Sequence, residues 1–132
     1  MALNRAHDWS IRAVSALVAG GGIWYEWGVD ISLTAGLAVL VGGYYLSPDL
    51  DTYSIPYRRW GILRWWWKPY QKLFRHRSFF THSPLVGTAV RLAWLMPFWF
   101  WLFRYTEPNP RYLWATLAGI ELSALVHLFL DL

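Results

Sequence analysis

The chain contains no cysteine and few charged residues for its length. Without cysteine it cannot form a disulfide scaffold, a thiolate zinc site, an iron–sulfur cluster or a cysteine nucleophile. Charged residues make up 15% of the 132 residues, where about 25% is usual in soluble domains. Aromatic residues, by contrast, make up 20%, which excludes intrinsic disorder. The length suits a single domain, 1–132.

Four apolar stretches approach the length of about 20 residues that a membrane-spanning helix needs. They cover residues 9–27, 31–46, 84–103 and 112–132. The stretch 31–46 carries no charge, which argues against a soluble four-helix bundle because a soluble helix needs a polar face. We therefore predict an all-α polytopic membrane protein with about four transmembrane helices.

The segment 60–75, WGILRWWWKPYQKLFR, combines aromatic and basic residues. Aromatic rings prefer the headgroup level of a bilayer, and lysine and arginine can reach that level from an apolar surface. We predict an interfacial amphipathic helix here. The same composition can bind single-stranded nucleic acid, but beside four apolar stretches we expect no nucleic-acid partner.

The basic residues predict the orientation of the spans. Seven of the 12 lysine and arginine residues fall in the loop 47–83, and none falls between the first two spans. Because positive charge collects on the cytoplasmic side of membrane proteins, we predict that this loop and both termini face the cytoplasm.

This topology places all four histidines and three aspartates at one face of the membrane. They are His7, Asp49, Asp51, His76, His82, His127 and Asp131. Asp131 follows His127 by four residues, so a helix presents both side chains on one face. Imidazole and carboxylate groups suit zinc, manganese or iron. We therefore predict a metal site with one or two divalent ions, zinc first, in which His76, His82, His127, Asp49 and Asp131 are the first ligands and His7 and Asp51 come next, for a second ion. The alternative is that each residue has an ordinary role in capping, packing or solvation.

The stretch 76–84, HRSFFTHSP, is the most specific part of this pattern. Its two histidines lie six residues apart, a spacing that does not share a face of a continuous helix, so a turn must present them. Arg77 could bind an anion such as phosphate, or could simply be a cation at the membrane surface. Thr81 and Ser83 could cap the next helix or orient a ligand histidine.

Two charged residues lie deeper in the predicted spans. At 1.5 Å per helical residue, Arg91 lies about 13 Å beyond His82, and Glu121 lies about 9 Å before His127. Because a charge inside a membrane is usually paired, we predict an Arg91–Glu121 ion pair. The alternative is that Glu121 reaches the metal.

Together these motifs resemble a family of bacterial membrane metal-binding proteins that is related to inner-membrane metal-dependent hydrolases. The resembling pieces are His7-Asp8, Ser47-Pro48-Asp49-Leu50-Asp51, Arg58-Arg59-Trp60-Gly61, Leu63-Arg64-Trp65, His76-Arg77-Ser78-Phe79, Thr81-His82-Ser83, and His127 with Asp131. The resemblance implies a multi-pass helical protein of the bacterial inner membrane, with a metal site built from these histidines and aspartates.

We expect a metal-dependent hydrolase that acts on a phosphoester at the cytoplasmic face. A metal-bound water would be the nucleophile, because the ion lowers its pKa. The expected catalytic residues are Asp51 or Asp8 as general base and Arg77 as the anion-binding group. The expected partners are the lipid bilayer and an anionic phospholipid or other phosphoester.

The alternative is a non-catalytic metal-binding membrane protein in which the ion ties helix ends together and helps the bundle to fold. We rank a transporter below both, because the spans contain almost no polar groups beyond Arg91 and Glu121.

Overall fold

The computed structural model describes the backbone of residues 2–132 and the side chains from Arg5 onward, so Met1 of the predicted domain lies outside the described residues. Over residues 2–132 the chain forms helices joined by turns and contains no strand, which confirms the all-α prediction. The α-helices are α1 (Ala2–Trp24), α2 (Val29–Tyr45), α3 (Ile55–Arg59), α4 (Trp67–Leu73), α5 (Phe79–His82), α6 (Val86–Trp94), α7 (Met96–Tyr105) and α8 (Pro110–Leu130). Two 3-10 helices are also present, Pro48–Asp51 and Gly61–Trp66.

The three long helices form one layer, in which α2 lies between α1 and α8. The turn from α1 to α2 uses Gly28 at a φ of 94°, a backbone conformation that glycine adopts without steric cost. At the start of α2 and α8, the Tyr112 hydroxyl donates a hydrogen bond of 2.6 Å to Asp30. At the other end, Ser47 Oγ lies 3.4 Å from His127 Nδ1. Helices α2 and α8 are therefore parallel, and their C-terminal ends meet.

Small residues allow α2 and α8 to approach closely. A Cβ atom on Gly119 would lie 2.6 Å from the Ala35 carbonyl oxygen and 2.6 Å from the Ala38 Cβ atom. Gly42 is similarly crowded by Ser123 from α8. Any larger side chain at these two glycines would push the helices apart. The close approach fixes the end of α2 against the end of α8.

Two helical segments, Val29–Asp51 and Pro110–Leu130, are long and apolar enough to cross a bilayer, where four spans were predicted. The predicted span 84–103 is broken into α6 and α7, which are bent by 68° and would add a third span only if the pair counts as one. Pro97 lies at the start of α7, and it lacks the N–H that a continuous helix would need. Helix α1 covers residues 9–24 of the predicted span 9–27, and among the described helices it is not one of those long and apolar enough to cross a bilayer.

The segment 47–83, which was predicted as a loop with one interfacial helix, folds into several short helices. The stretch 60–75 is divided between the second 3-10 helix and α4. The side chains of Trp67 and Tyr70 are fully buried and pack in a hydrophobic cluster with Leu50 and Tyr57. The structure thus replaces the single predicted helix with two short ones, in which Trp67 and Tyr70 bury their rings inside the protein while Ile62, Trp65 and Leu73 stay exposed. The cluster also anchors the first 3-10 helix, which carries Asp49.

Candidate metal centre

Four segments of the chain bring histidines and aspartates to the end where α2 and α8 meet. His7 lies in the second turn of α1, Asp49 in the first 3-10 helix, and His82 at the end of α5. His127 and Asp131 lie at the end of α8. We call these five residues the His–Asp cluster.

Each histidine of the His–Asp cluster places its Nε2 atom close to a carboxylate. His127 Nε2 lies 3.4 Å from Asp49 Oδ1 and 3.2 Å from Asp131 Oδ2. His82 Nε2 lies 3.5 Å from Asp49 Oδ1. His7 Nε2 lies 3.4 Å from Asp131 Oδ1. The two carboxylates therefore link all three imidazoles.

These separations fit the edges of a tetrahedral coordination shell. Zinc lies about 2.0–2.1 Å from nitrogen and oxygen ligands, so tetrahedral ligands are about 3.3–3.4 Å apart. The four contacts in the cluster measure 3.2–3.5 Å. One atom each from Asp49, His82, His127 and Asp131 lies within 4.8 Å of the others. The geometry can therefore accommodate a metal ion.

The Nε2 atoms of His7, His82 and His127 are buried and have no hydrogen-bond partner. Buried polar atoms in folded proteins nearly always have a partner. The neighbours of the three nitrogens are the carboxylate oxygens at 3.2–3.5 Å, with which they make ion-pair contacts but no well-aligned hydrogen bond. A bound cation would satisfy this arrangement, since each deprotonated nitrogen can donate its lone pair to the ion.

The opposite ring nitrogens of two of these histidines contact polar groups. His82 Nδ1 lies 3.0 Å from Thr81 Oγ1 and 3.3 Å from Asp51 Oδ2. His127 Nδ1 lies 3.4 Å from Ser47 Oγ. Contacts of this kind orient a ligand imidazole, and when Nδ1 is the donor they leave the Nε2 lone pair free for a metal.

Asp51 lies behind the His–Asp cluster, and both of its oxygens have partners. Its side chain is fully buried, and its Oδ1 lies 2.6 Å from His76 Nδ1. Its Oδ2 accepts a hydrogen bond of 3.0 Å from the backbone N–H of Arg77. Asp49, Asp51, His76 and His82 form a second group that could hold an ion. Within this group His76 is the outermost residue, with 43% of its side chain exposed.

The other two predicted catalytic residues, Asp8 and Arg77, lie at the edge of the cluster. Asp8 accepts a hydrogen bond of 2.7 Å from Arg59 and lines a cavity of about 20 Å³ beside the cluster. Arg77 has a φ of 57°. Its Nη2 lies 3.4 Å from Asp131 Oδ2, and 60% of its side chain is exposed. Both residues can therefore reach a molecule that approaches the cluster.

Burial and neighbouring charges shift the pKa of two histidines of the cluster in opposite directions. Burial lowers the pKa of His82, but the carboxylates of Asp49 and Asp51 outweigh burial and raise the pKa to about 9. Burial, followed by the charge of His127, lowers the pKa of His7. At neutral pH His82 therefore carries a proton that an incoming metal ion would displace, whereas His7 is neutral.

Arg91 and Glu121 do not form the predicted ion pair. Arg91 is 1% exposed and donates hydrogen bonds of 3.0 Å to the Thr81 carbonyl and to Thr88 Oγ1. Glu121 Oε1 accepts a hydrogen bond of 2.9 Å from the Leu85 N–H group. Each charged side chain instead pairs with a backbone group at the turn before α6: Arg91 with the Thr81 carbonyl and Glu121 with the Leu85 N–H. Buried backbone N–H and C=O groups need hydrogen-bond partners as much as charged side chains do.

The sequence analysis assigned no role in the site to two polar residues that lie near it, Gln71 and Ser47. Gln71 donates hydrogen bonds of 3.0 Å to the carbonyls of Leu50 and Thr52, which hold the first 3-10 helix in place. No motif predicts a contact of this kind between distant residues. Ser47, the partner of His127, could have been noticed because it precedes Asp49 by only two residues in a proline turn.

Comparison with known proteins agrees with a metal-binding role. No solved structure matches the chain. A protein of Aquifex aeolicus, described as an uncharacterized protein, is 42% identical over 67 residues, which make up 50% of this chain and 47% of that protein. The chain thus matches about half of the length of this relative. A family described as uncharacterized metal-binding protein (DUF2227) matches residues 2–107. Because this match covers well over half of the chain, the protein belongs to that metal-binding family.

Proposed function

We propose that the protein binds a divalent metal ion, zinc first, in the His–Asp cluster. The observation that carries this proposal is the set of three buried, unpartnered Nε2 atoms that lie 3.2–3.5 Å from two carboxylates. Membership of a metal-binding family supports it. Nitrogen and oxygen ligands at tetrahedral spacing favour zinc, with manganese and iron as alternatives.

An ion held by Asp49, His82, His127 and Asp131 would join the 3-10 helix after α2, α5 and α8. Helix α1 contacts this group through His7, whose Nε2 lies 3.4 Å from Asp131 Oδ1. In this role the site stabilises the bundle without catalysing a reaction. Asp51 supports His82 from behind, and Asp51 with His76 offers a place for a second ion.

Elemental analysis of detergent-purified protein tests the metal site. We expect about one equivalent of a transition metal per chain, because Asp49, His82, His127 and Asp131 can supply the four ligands of one tetrahedral shell. Protein that is dialysed against zinc and retains less than about a tenth of an equivalent would contradict the proposal.

A metal-dependent hydrolase is the second candidate, and one observation favours it. The cavity beside the cluster measures about 20 Å³, which is enough room for one water molecule. A water there would lie next to a bound ion and near Asp8, which could act as general base. The exposed guanidinium of Arg77 could hold an anionic phosphoester, such as a phospholipid headgroup.

Hydrolysis of a chromogenic phosphodiester distinguishes this candidate from pure metal binding. If the protein is a hydrolase, zinc- or manganese-loaded protein should turn the substrate over. Asp8→Asn should then lower kcat at least about tenfold while leaving metal content unchanged, because a lost general base typically costs a factor of about 10²–10⁴. The control is Asp30→Asn, at the far end of α2. If the metal-loaded protein does not hydrolyse the substrate, the hydrolase candidate fails and non-catalytic metal binding is retained as the function.

We further propose that the protein crosses the membrane several times, with both termini in the cytoplasm. An exposed apolar stripe runs along α2 and supports membrane contact. It consists of Val29, Leu33, Leu37, Val41 and Tyr45, which are between 42% and 61% exposed. The parallel direction of α2 and α8 agrees with a topology in which both helices run toward the cytoplasm. The basic loop 47–83 lies at their C-terminal ends, as the distribution of positive charge predicts.

Cysteine labelling tests this topology, since the natural chain has no cysteine. We expect Glu107→Cys to react with an impermeant maleimide in intact cells, and Tyr53→Cys to react only after the cells are permeabilised. Both positions are exposed, so accessibility within the fold does not limit either reaction. Equal labelling of the two variants from the same side would contradict the proposed topology.

A further inference from the structure

Two charged side chains hold opposite sides of the turn that leads from His82 into α6. Arg91 Nη1 donates a hydrogen bond of 3.0 Å to the Thr81 carbonyl, on the residue before His82. Glu121 Oε1 accepts a hydrogen bond of 2.9 Å from the Leu85 N–H group, three residues after His82. The two side chains come from different helices, α6 and α8, and contact the same short turn.

The turn needs support because its backbone is crowded and strained. Leu85 has a φ of 59°, a conformation that is unfavourable for a residue with a Cβ atom. A Cβ atom on Gly87 would lie 2.7 Å from the Thr81 carbonyl oxygen and 3.3 Å from Arg91 Nη1. The glycine therefore leaves room for α6 to pass close to Thr81 and for Arg91 to reach the carbonyl.

The supported turn bears directly on a ligand of the proposed metal site. Thr81 has its carbonyl held by Arg91, and its Oγ1 lies 3.0 Å from His82 Nδ1. The Thr81 side chain is completely buried, so it cannot exchange these partners for water. A shift of the Thr81 backbone would therefore move the partner that orients the His82 ring.

We propose that Arg91 and Glu121 are positioning residues for the metal centre, which they serve by fixing the turn that carries His82. This inference rests on the proposed metal site. It also explains why two charges are kept in an apolar part of the protein, where burying them is costly. Arg91 Nε and Glu121 Oε2 have no hydrogen-bond partner. Apart from the bond of Arg91 to Thr88 Oγ1 in α6, the hydrogen bonds of both side chains go to this turn.

Titration of detergent-purified protein with Co(II) tests this proposal, because the visible spectrum of Co(II) reports the geometry of its ligands. We expect Arg91→Met and Glu121→Leu to weaken Co(II) binding about tenfold or more, as loss of a supporting contact around a metal ligand does. Their spectra should differ from that of the wild type. Glu121→Gln keeps an oxygen that accepts the Leu85 N–H, so it should retain the wild-type spectrum and affinity. The exposed Arg104→Met and Glu107→Leu are the matched controls.

A second readout uses metal-free protein labelled with ¹⁵N in histidine. The imidazole signals of His82, assigned with His82→Gln, should shift in Arg91→Met and Glu121→Leu and stay in place in Glu121→Gln and both controls. If Arg91→Met does not fold, the Glu121→Leu and Glu121→Gln pair decides the question. Unchanged Co(II) binding and unchanged His82 signals would overturn the proposal, and so would a Glu121→Gln variant as impaired as Glu121→Leu. If the wild type binds no Co(II), the proposed function fails, and the imidazole signals still decide whether the turn positions His82.

Discussion

Replacing His127 with alanine should lower the affinity for Zn(II) by at least about a hundredfold. Structural zinc sites with four ligands bind with roughly 10–16 kcal/mol, so each ligand accounts for roughly 3 kcal/mol. His127 Nε2 contacts both Asp49 and Asp131, and only 7% of the side chain is exposed. Loss of this imidazole removes the group at the centre of the His–Asp cluster. Competition titration against a zinc-binding dye measures the effect.

The matched control is His76→Ala, which removes the same kind of side chain from the edge of the site. His76 contacts Asp51, which in turn supports His82, so its loss should weaken Zn(II) binding by no more than about tenfold. Circular dichroism of both variants checks that the helices are retained. If His76→Ala weakened Zn(II) binding as much as His127→Ala, the ion would have to bind nearer to Asp51 than proposed here.

The metal content of the wild type and of His76→Ala tests for a second ion. If two ions bind, His76→Ala should lower the metal content from two equivalents to one, because His76 belongs only to the second group of potential ligands. If one ion binds in the His–Asp cluster, His76→Ala should leave the content at one equivalent. The metal content of wild type and variant therefore distinguishes one ion from two.

The meeting of distant histidines and aspartates was predictable from the order of the apolar stretches along the chain. The charge pattern and the apolar stretches place His7, Asp49, His82 and His127 at one end of the helices, and the structure brings them into contact there. The sequence did not predict which histidines lie inside the cluster and which lie at its edge. The inner position of His82 and the outer position of His76 depend on the turn between them, and the sequence does not specify the path of that turn.

The number of spans and the role of the tryptophans were harder to predict from the sequence. Apolar composition looks the same whether a side chain faces lipid or the protein interior. Trp67 and Tyr70 were therefore assigned to the membrane surface, although they form part of the hydrophobic cluster. Pro97 lies within the predicted span 84–103, but the size of the bend there depends on how α6 and α7 pack.

The Arg91–Glu121 prediction failed for a related reason. The helical rise per residue placed Arg91 and Glu121 at similar depths in the predicted membrane. Each was then the only oppositely charged residue at that depth that the sequence offered to the other. The backbone groups that they contact belong to Thr81 and Leu85, in a turn whose conformation cannot be read from residue types.

Removal of the metal ion should destabilise the whole bundle, in addition to emptying the site. An ion that binds only the folded state stabilises it by about 4 kcal/mol when its free concentration is a thousand times its Kd. For a chain of this length the thermal midpoint in detergent should then fall by about 10 °C or more after chelation. The reason is geometric, because the proposed ligands lie in the 3-10 helix after α2, in α5 and at the end of α8, and His7 of α1 contacts the proposed ligand Asp131, so one ion would connect four chain segments.

His127→Ala provides the control for this experiment, since a variant without a working site has no ion to lose. Its midpoint should already be low and should not change with EDTA. A wild-type midpoint that is insensitive to EDTA, in protein shown to contain zinc beforehand and none afterwards, would contradict the tying role. The fixed approach of α2 and α8 at Gly119 and Gly42 would then hold the bundle together without help from the metal, and the site would have to be kept for binding or catalysis alone.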